Sequence, residues 1–272
     1  MERDGTDYPL VIHEGLSYCL VDDFAIVVST FFTDDTLEEI TIADTVEYES
    51  KSYPVTEIDD DAFYCFVDTI KITVPSSVKV IGENAFDGCD FLEEIIISEG
   101  VETIKDNAFN DCTALRSITL PSTVKSIGTG IFFGCTELES VVLSEGITSI
   151  PDDTFTNCEA LENVELPSTL KTIGTEAFWS CEALVTLTLP EGLVSIDDRC
   201  FYDCISMTAI ALPKSLSSVG DGIFDNCDSL VTVMVPKEQK DTYTELFEEY
   251  DINILRRLRE PHIIPFLLPT RL

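Results

Sequence analysis

Ten cysteines carry most of the reactive chemistry in this chain, and seven of them stand at one interval: Cys89, Cys112, Cys135, Cys158, Cys181, Cys204 and Cys227, each 23 residues after the last. Thiols at fixed spacing suggest disulfides, metal ligation or nucleophilic catalysis. Stacked on successive turns of a chain, their Cα atoms would come within disulfide range. In-register parallel side chains, however, hold Cβ atoms near the strand spacing of ~4.8 Å, beyond the usual ~3.5–4.5 Å. The ladder therefore reads as a column of buried thiols, a small and readily buried residue type. Cys200, beside Phe201, reads the same way, and Cys200 to Cys204 is C-x-x-x-C, which has neither zinc nor redox spacing. Cys19 and Cys65 fit no slot.

Other reactive groups are no better placed for chemistry. The two histidines, His13 and His262, lie at opposite ends and none falls in between, so a Ser-His-Asp triad has no base in the middle of the chain. Gly128, Gly130 and Gly134 are spaced G-x-G-x-x-x-G, which is not a phosphate loop. Asp59-Asp60-Asp61 and the Asp87 to Asp90 segment lack the alternating ligands and bidentate glutamate of a calcium loop. Glu99, Glu145 and Glu191 fall on alternate turns, roughly 9.6 Å apart at twice the strand spacing, so they read as a solvated acidic face rather than one ion site. No catalytic residue, metal ligand or cofactor is assigned.

The elements that position these residues are repeats. Phenylalanine recurs without insertion or deletion at Phe63, Phe86, Phe109, Phe132, Phe155, Phe178, Phe201 and Phe224. Three residues on comes the ladder cysteine (Phe66 in the first unit), and three further a leucine, or Met207. Alternating apolar pairs such as Ile118 and Leu120 read as a short strand, usually ended by proline, which cannot donate to a ladder. A second apolar pair follows, such as Val124 and Ile127, and then a turn back to Ala-Phe. Thr129, Asp152, Thr175, Asp198 and Asp221 precede that step, where the N-cap of one helical turn is expected. Self-similarity at this period marks a solenoid of stacked units. A second period of 46 alternates Glu-Gly units (Glu99-Gly100, Glu145-Gly146, Glu191-Gly192) with Ser-Ser or Ser-Thr units, and reads as duplication of a two-rung unit.

The pattern Ala-Phe-x-x-Cys-x-x-Leu-x-x-Ile-x-Leu-Pro-x-x-Val-x-x-Ile-Gly, as in Ala108 to Gly128, resembles the leucine-rich repeats of the BspA-like (Treponema pallidum-type) family. Thr45-Val46 to Tyr53-Pro54-Val55-Thr56 resembles that family's entry unit, and Val235-Pro236-Lys237 to Tyr243 its closing segment. The likeness spans about residues 10 to 254. It implies a leucine-rich-repeat solenoid of the α/β repeat class, mostly short strands and turns, right-handed and capped at both ends. It also implies protein binding and, in many members, a surface antigen or adhesin.

Four regions are expected. Residues 10–59 break the 23-residue spacing and form an N-terminal cap and irregular first unit, with a hairpin turn at Glu49-Ser50-Lys51-Ser52 and a half-buried strand at Leu16, Tyr18 and Leu20. Residues 60–236 are the repeats. Residues 237–254 form a C-terminal cap, where Tyr243, Leu246, Phe247, Tyr250 and Ile254 have mostly helical spacing. Residues 255–272 form a basic and apolar tail with Arg256, Arg257, Arg259 and Arg271 against Glu260 alone. Docking on the chain's own last rungs, docking on those of a second copy, and an unattached end all remain open for it.

Composition narrows the function. With 16 Lys+Arg against 51 Asp+Glu in 272 residues the formal charge is −35, which repels phosphate backbones and disfavours nucleic acid. At 44% hydrophobic residues a core is affordable in material terms, and no apolar run reaches membrane-spanning length. The first twenty residues hold no continuous apolar segment of a signal peptide, and reduced cysteines fit a cytoplasmic setting, whereas the family resemblance implies the cell surface. Outward strand positions are the candidate binding residues: Glu93, Glu94, Glu139, Glu162 and Glu165, with Arg116 among them. Glu139 and Glu162 share one slot on neighbouring rungs, a repulsion that a basic protein partner would relieve. On later rungs Thr186, Thr188, Ala209, Ala211, Thr232 and Met234 make this face small and apolar. Phe133, Trp179 and Tyr202, each directly after a repeat phenylalanine, are candidate aromatic anchors. The expectation is a non-enzymatic protein-binding module, adhesin-like, with an intracellular scaffold and a parallel β-helix polysaccharide-degrading enzyme as alternatives.

Overall fold

In the computed structural model of the chain, residues 2–3, 6–28, 38–66, 68–237, 243 and 253–256 are described. The 23-residue period becomes physical in the strand register. Lys71–Val74 pairs in parallel with Glu94–Ile97, Ser117–Thr119 with Ser140–Val142 and then Asn163–Glu165, and Ala209–Ala211 with Thr232–Val235, always between residues 23 apart. Below, a rung is numbered by its phenylalanine, from rung 1 (Phe63) to rung 8 (Phe224). Each strand alternates outward and inward residues, so Ile95, Ile118, Val141, Ile210 and Val233 point into one core. Proline then ends the strand and opens a turn: Pro75, Pro121, Pro167, Pro190 and Pro213 each accept the N–H three residues on, at 3.0–3.3 Å. A second column of two-residue strands follows, among them Val80–Ile81, Thr103–Ile104 and Ser126–Ile127.

The third side of each rung is not the helical turn expected before Ala-Phe. The residues two before and two after every repeat phenylalanine lie in the left-handed region, φ 50° to 71° over all eight rungs, so a right-handed turn cannot continue through either. Most are Asn, Asp or Gly, the types that tolerate this conformation. The alternation aims every second N–H along the solenoid axis. Asp61, Phe63 and Cys65 donate to Glu83, Ala85 and Asp87 of the next rung at 2.7–2.8 Å, and Asn84, Phe86 and Gly88 do the same one rung on. Tight turns thus form a third ladder of rung-to-rung hydrogen bonds.

Inside, the eight phenylalanines stack with centroids 5.0–5.9 Å apart and planes within 24° of parallel. Separations above the ~4.8 Å rung spacing mark offset stacking, which the ring quadrupole favours. The ladder cysteines are free and buried. Each Sγ donates to the carbonyl of the previous rung's phenylalanine at 3.0–3.3 Å, from Cys89 to Phe63 through Cys227 to Phe201. A thiol is therefore both small enough for the slot and a donor to a carbonyl otherwise left with one partner.

The 46-residue period has a structural cause. Asp60, Asp106, Asp152 and Asp198 each accept, through Oδ1, the N–H of the residue 23 on at 2.8 Å. In the alternate rungs Glu99 and Glu145 accept both the N–H and the hydroxyl of Ser122 and Ser168, at 2.8–3.2 Å. Glu191 accepts the N–H of Lys214 at 3.3 Å. The glutamates expected to form a solvated acidic face are instead staples to the next rung. Glycine follows from this: a Cβ at Gly128 or Gly174 would stand 2.3 Å from Oδ1 of Asp106 or Asp152. The two hydrogen bonds from Ser122 hold the Glu99 carboxyl below its usual range, so its contribution is present above that range and lost as pH falls through it. Glu99→Ala is expected to speed amide exchange at Ser122 at neutral pH. The difference from the parent should close only once pH has fallen below the usual carboxylate range, where the parent's carboxylate is also protonated. An unchanged Ser122 rate at pH 7 would refute the staple.

At the N-terminal end, Leu10–His13, Leu16–Val21 and Phe24–Val28 form an antiparallel meander whose last strand pairs in parallel with Lys51–Ile58, the start of the second column. Thr45–Tyr48 and Lys51–Ile58 form the hairpin, with Glu49 and Ser50 both left-handed, as a tight two-residue turn requires. The strand at Leu16, Tyr18 and Leu20 is buried on both faces rather than one. Cys19, on its other face, packs with Ile26 and Val28 in a second small cluster. Cys65 is exposed. At the C-terminal end, Asn253–Arg256 is a strand paired in parallel with Thr232–Val235. The helical spacing therefore fails at Ile254, because an open sheet edge offers that segment a full set of backbone partners. Tyr243 is buried and donates to the Leu216 carbonyl at 3.4 Å. Leu246, Phe247, Tyr250 and the tail from 257 lie outside the described residues.

Candidate binding face

Three positions per rung leave the first strand column pointing outward, and they change character along the solenoid. On rung 1 they are Ile70, Lys71 and Thr73, and on rung 2 Glu93, Glu94 and Ile96. Lys71 Nζ meets Glu94 at 2.7 Å. On rung 3 Arg116 bridges two carboxylates of rung 4, Glu137 and Glu139, at 3.2 Å each. Rung 5 carries Glu162 and Glu165, both exposed, and no basic side chain among the described residues pairs with either. The repulsion expected between Glu139 and Glu162 is real in position, since Glu162 N–H donates to the Glu139 carbonyl at 3.0 Å, but Arg116 neutralises only the first of the pair. Among the described residues, Glu93 on rung 2 and both acids of rung 5 lack a basic partner on this face, and only rung 5 borders the apolar rungs.

Beyond it the face turns apolar. Val185 and Val231 are 50% and 56% exposed and occupy the slot that Glu139 and Glu162 hold earlier. With Thr186, Thr188, Ala209, Ala211, Thr232 and Met234 they make rungs 6 to 8 a surface of small and aliphatic side chains. Sequence reasoning named the latter six and missed the two valines, along with Glu137 and Lys71. The signal was available in the shared slot, whose column runs Ile70, Glu93, Arg116, Glu139, Glu162, Val185, Thr208, Val231.

The aromatic row lies on the turns, not on this sheet. Trp179 and Tyr202 are half-buried and contact one another, centroids 4.8 Å apart and planes tilted by 49°. Phe133 is separated from Trp179 by the rung of buried Thr156, so the three do not form one platform. Arg199 beside this pair is held by Glu176 at 2.9 Å.

No cluster of three His, Cys, Asp or Glu able to hold a metal occurs among the described residues. The thiols are poor nucleophiles: burial pushes Cys89 up to about 12 and raises Cys112, Cys158, Cys181 and Cys204 well above the ordinary thiol. No described helix is long and apolar enough to cross a membrane. What this arrangement offers chemically is a surface: three hydrogen-bonded ladders hold a row of variable side chains in fixed register.

Known proteins share this architecture. The family described as BspA type leucine rich repeat region matches in six copies over residues 24–139, 56–184 and 148–256. No curated protein matches. Among solved structures, the T. pallidum leucine rich repeat protein is 27% identical, with a TM-score of 0.60 over 87% of this chain and 95% of that one. A leucine rich cell surface protein from Faecalibacterium prausnitzii is 21% identical, TM-score 0.57, over 93% and 96%. A leucine-rich repeat protein from Eubacterium ventriosum is 21% identical, TM-score 0.52, over 82% and 71%.

Proposed function

The chain belongs to the BspA type leucine-rich repeat family, and on that premise we propose that it is a non-enzymatic protein-binding module of the surface-interaction kind, taking its ligand on the outward face of the first strand column. In this reading residues 10–59 cap the array, residues 60–236 display the face and residues 237–254 close it. The observation that carries it is the pairing pattern on the sheet. Glu94, Glu137 and Glu139 have basic partners within the array, whereas Glu162 and Glu165, exposed at the border of an apolar surface, pair with no basic side chain among the described residues, and Glu93, likewise without one, lies three rungs from that border. A basic segment flanked by aliphatic side chains is complementary to both halves of that border. Trp179 and Tyr202 would form the rim of a larger contact.

A photo-reactive side chain at position 162 is expected to capture protein ligand, and one at position 125 on the second column is not. Reversing Glu162 and Glu165 to Lys should weaken that ligand at least tenfold and flatten its salt dependence, because rim and border charges act through screened Coulomb attraction. Reversing Glu83 and Glu102 changes net charge equally and should leave binding intact. Equal losses from the two pairs would reduce the effect to net charge and overturn the assigned face.

A further inference from the structure

Three facts about the C-terminal end converge on the same face. Asn253–Arg256 adds a strand beyond rung 8, so the chain leaves the sheet at the edge of the apolar surface. The sixteen residues that follow, 257 to 272, hold an aliphatic run from Ile263 to Leu268 and, three residues after it, Arg271. The face repeats that order in reverse along the solenoid: Val231, Met234, Ala209, Ala211 and Val185 first, then the unpaired Glu162 and Glu165. Pro261, Pro265 and Pro269 recur every fourth residue, and each removes one backbone donor, which leaves side chains as the segment's main means of contact.

We propose that residues 257–272 fold back over rungs 8 to 5 of their own chain and occupy the ligand face, with Ile263 to Leu268 on the valines and Met234 and Arg271 on Glu162 and Glu165. The inference rests on the protein-binding reading of that face and makes the tail its resident competitor. Length permits it: four rungs are about 19 Å at the strand spacing, and nine extended residues from 263 to 271 reach about 28 Å. An intramolecular competitor needs little affinity, because a tether supplies millimolar effective concentration. A ligand would then have to be basic and aliphatic enough to displace it.

Hydrogen exchange of the full chain tests this. The amides of Ile263, Ile264, Phe266, Leu267 and Leu268 should exchange at least tenfold slower than an unstructured segment, in a protein whose mass stays monomeric at every concentration. Phe266→Asp, which lies outside the repeat array, and Val231→Asp, at an exposed position, should each abolish the protection. Arg271→Glu should weaken it, and adding Glu165→Arg should restore it. A fluorescent synthetic peptide of residues 257–272 should bind the Phe266→Asp chain at least tenfold tighter than the parent, whose face is already filled. Exchange at unstructured rates, protection indifferent to Val231→Asp, or protection that falls on dilution together with the mass would each overturn the proposal, the last in favour of a second copy. The two readings fail differently. Ligand capture at position 162 with an unprotected tail sinks the tail alone. A tail released by Val231→Asp, with no ligand captured even in Phe266→Asp, sinks the protein-binding reading and leaves the contact standing.

Discussion

Raising the pH from about 8 to about 11 is expected to unfold this protein cooperatively, and the ionising group responsible is the thiol. Eight cysteines sit in the main core, the seven of the ladder and Cys200, while buried Cys19 belongs to the small second cluster. Burial pushes every one upward, Cys89 and Cys227 to about 12, and neighbouring thiols and carboxylates add to it. In the unfolded chain the same groups ionise near 8.5. The folded value is thus the higher one, so the stabilisation is complete below about 8.5 and lost as pH climbs toward the folded value. Each thiol contributes a slope of roughly 1.4 kcal/mol per pH unit, and eight together about 11, comparable with the whole stability of a typical domain, about 5–15 kcal/mol. The comparison that isolates thiols is Cys158→Ala. At pH 7 it should cost about 1 kcal/mol, through the lost bond to the Phe132 carbonyl. Near pH 10 that deficit should shrink or change sign, because one ionisable group has been removed. A parent protein equally stable at pH 7 and pH 10, or ladder thiols that alkylate rapidly without unfolding, would rule this out.

The core was legible in the sequence because a 23-residue period leaves no freedom about which residues meet. Phe, Cys, Leu and Ile at fixed slots can all be buried only if the slots stack, and they are. The turn conformation was not legible from single positions. Asn107 or Asp153, two residues before the repeat phenylalanine, serves equally well near a helix start or in a left-handed turn. Only the second residue of the pair, two after the phenylalanine, tells the two apart, since Gly88, Gly134 and Asn157 in that slot have no reason to be there in a helical turn. The glutamate staples escaped for a related reason. Glu99 looks solvated until the N–H it serves, 23 residues away on Ser122, is laid beside it. On the candidate face the pairing of the charges was not legible, because Arg116 reaches both Glu137 and Glu139, two residues that precede the strand Ser140–Val142 of the next rung. At the C-terminal end, apolar residues three and four apart suggested a helix. The free sheet edge at Thr232–Val235 outweighed that local pattern over Asn253–Arg256.

The phenylalanine column sets the scale for damage to a single rung. Phe155 is fully buried and stacks on both sides, at 5.6 Å from Phe132 and 5.0 Å from Phe178. Truncating it to alanine should cost about 3–5 kcal/mol, the cavity included, which is most of what an ordinary domain has to lose. In a stack where each unit contacts only its neighbours, the loss is not shared evenly. Amide exchange should accelerate first in the turns that bond to this rung, where Phe132 N–H donates to Thr154 and Phe155 N–H to Ala177. The hairpin at Thr45–Tyr48 and the strand at Lys71–Val74, four or more rungs away, should keep their protection until higher denaturant. Phe224, at the end of the column, stacks on Phe201 at 5.9 Å. Its truncation should open only the C-terminal rungs. Rung-resolved exchange after each substitution separates this from a single cooperative unit. Uniform acceleration from Leu16 to Val235 in both variants would mean that the three hydrogen-bonded ladders couple the whole array, and that the rung is not the unit of stability.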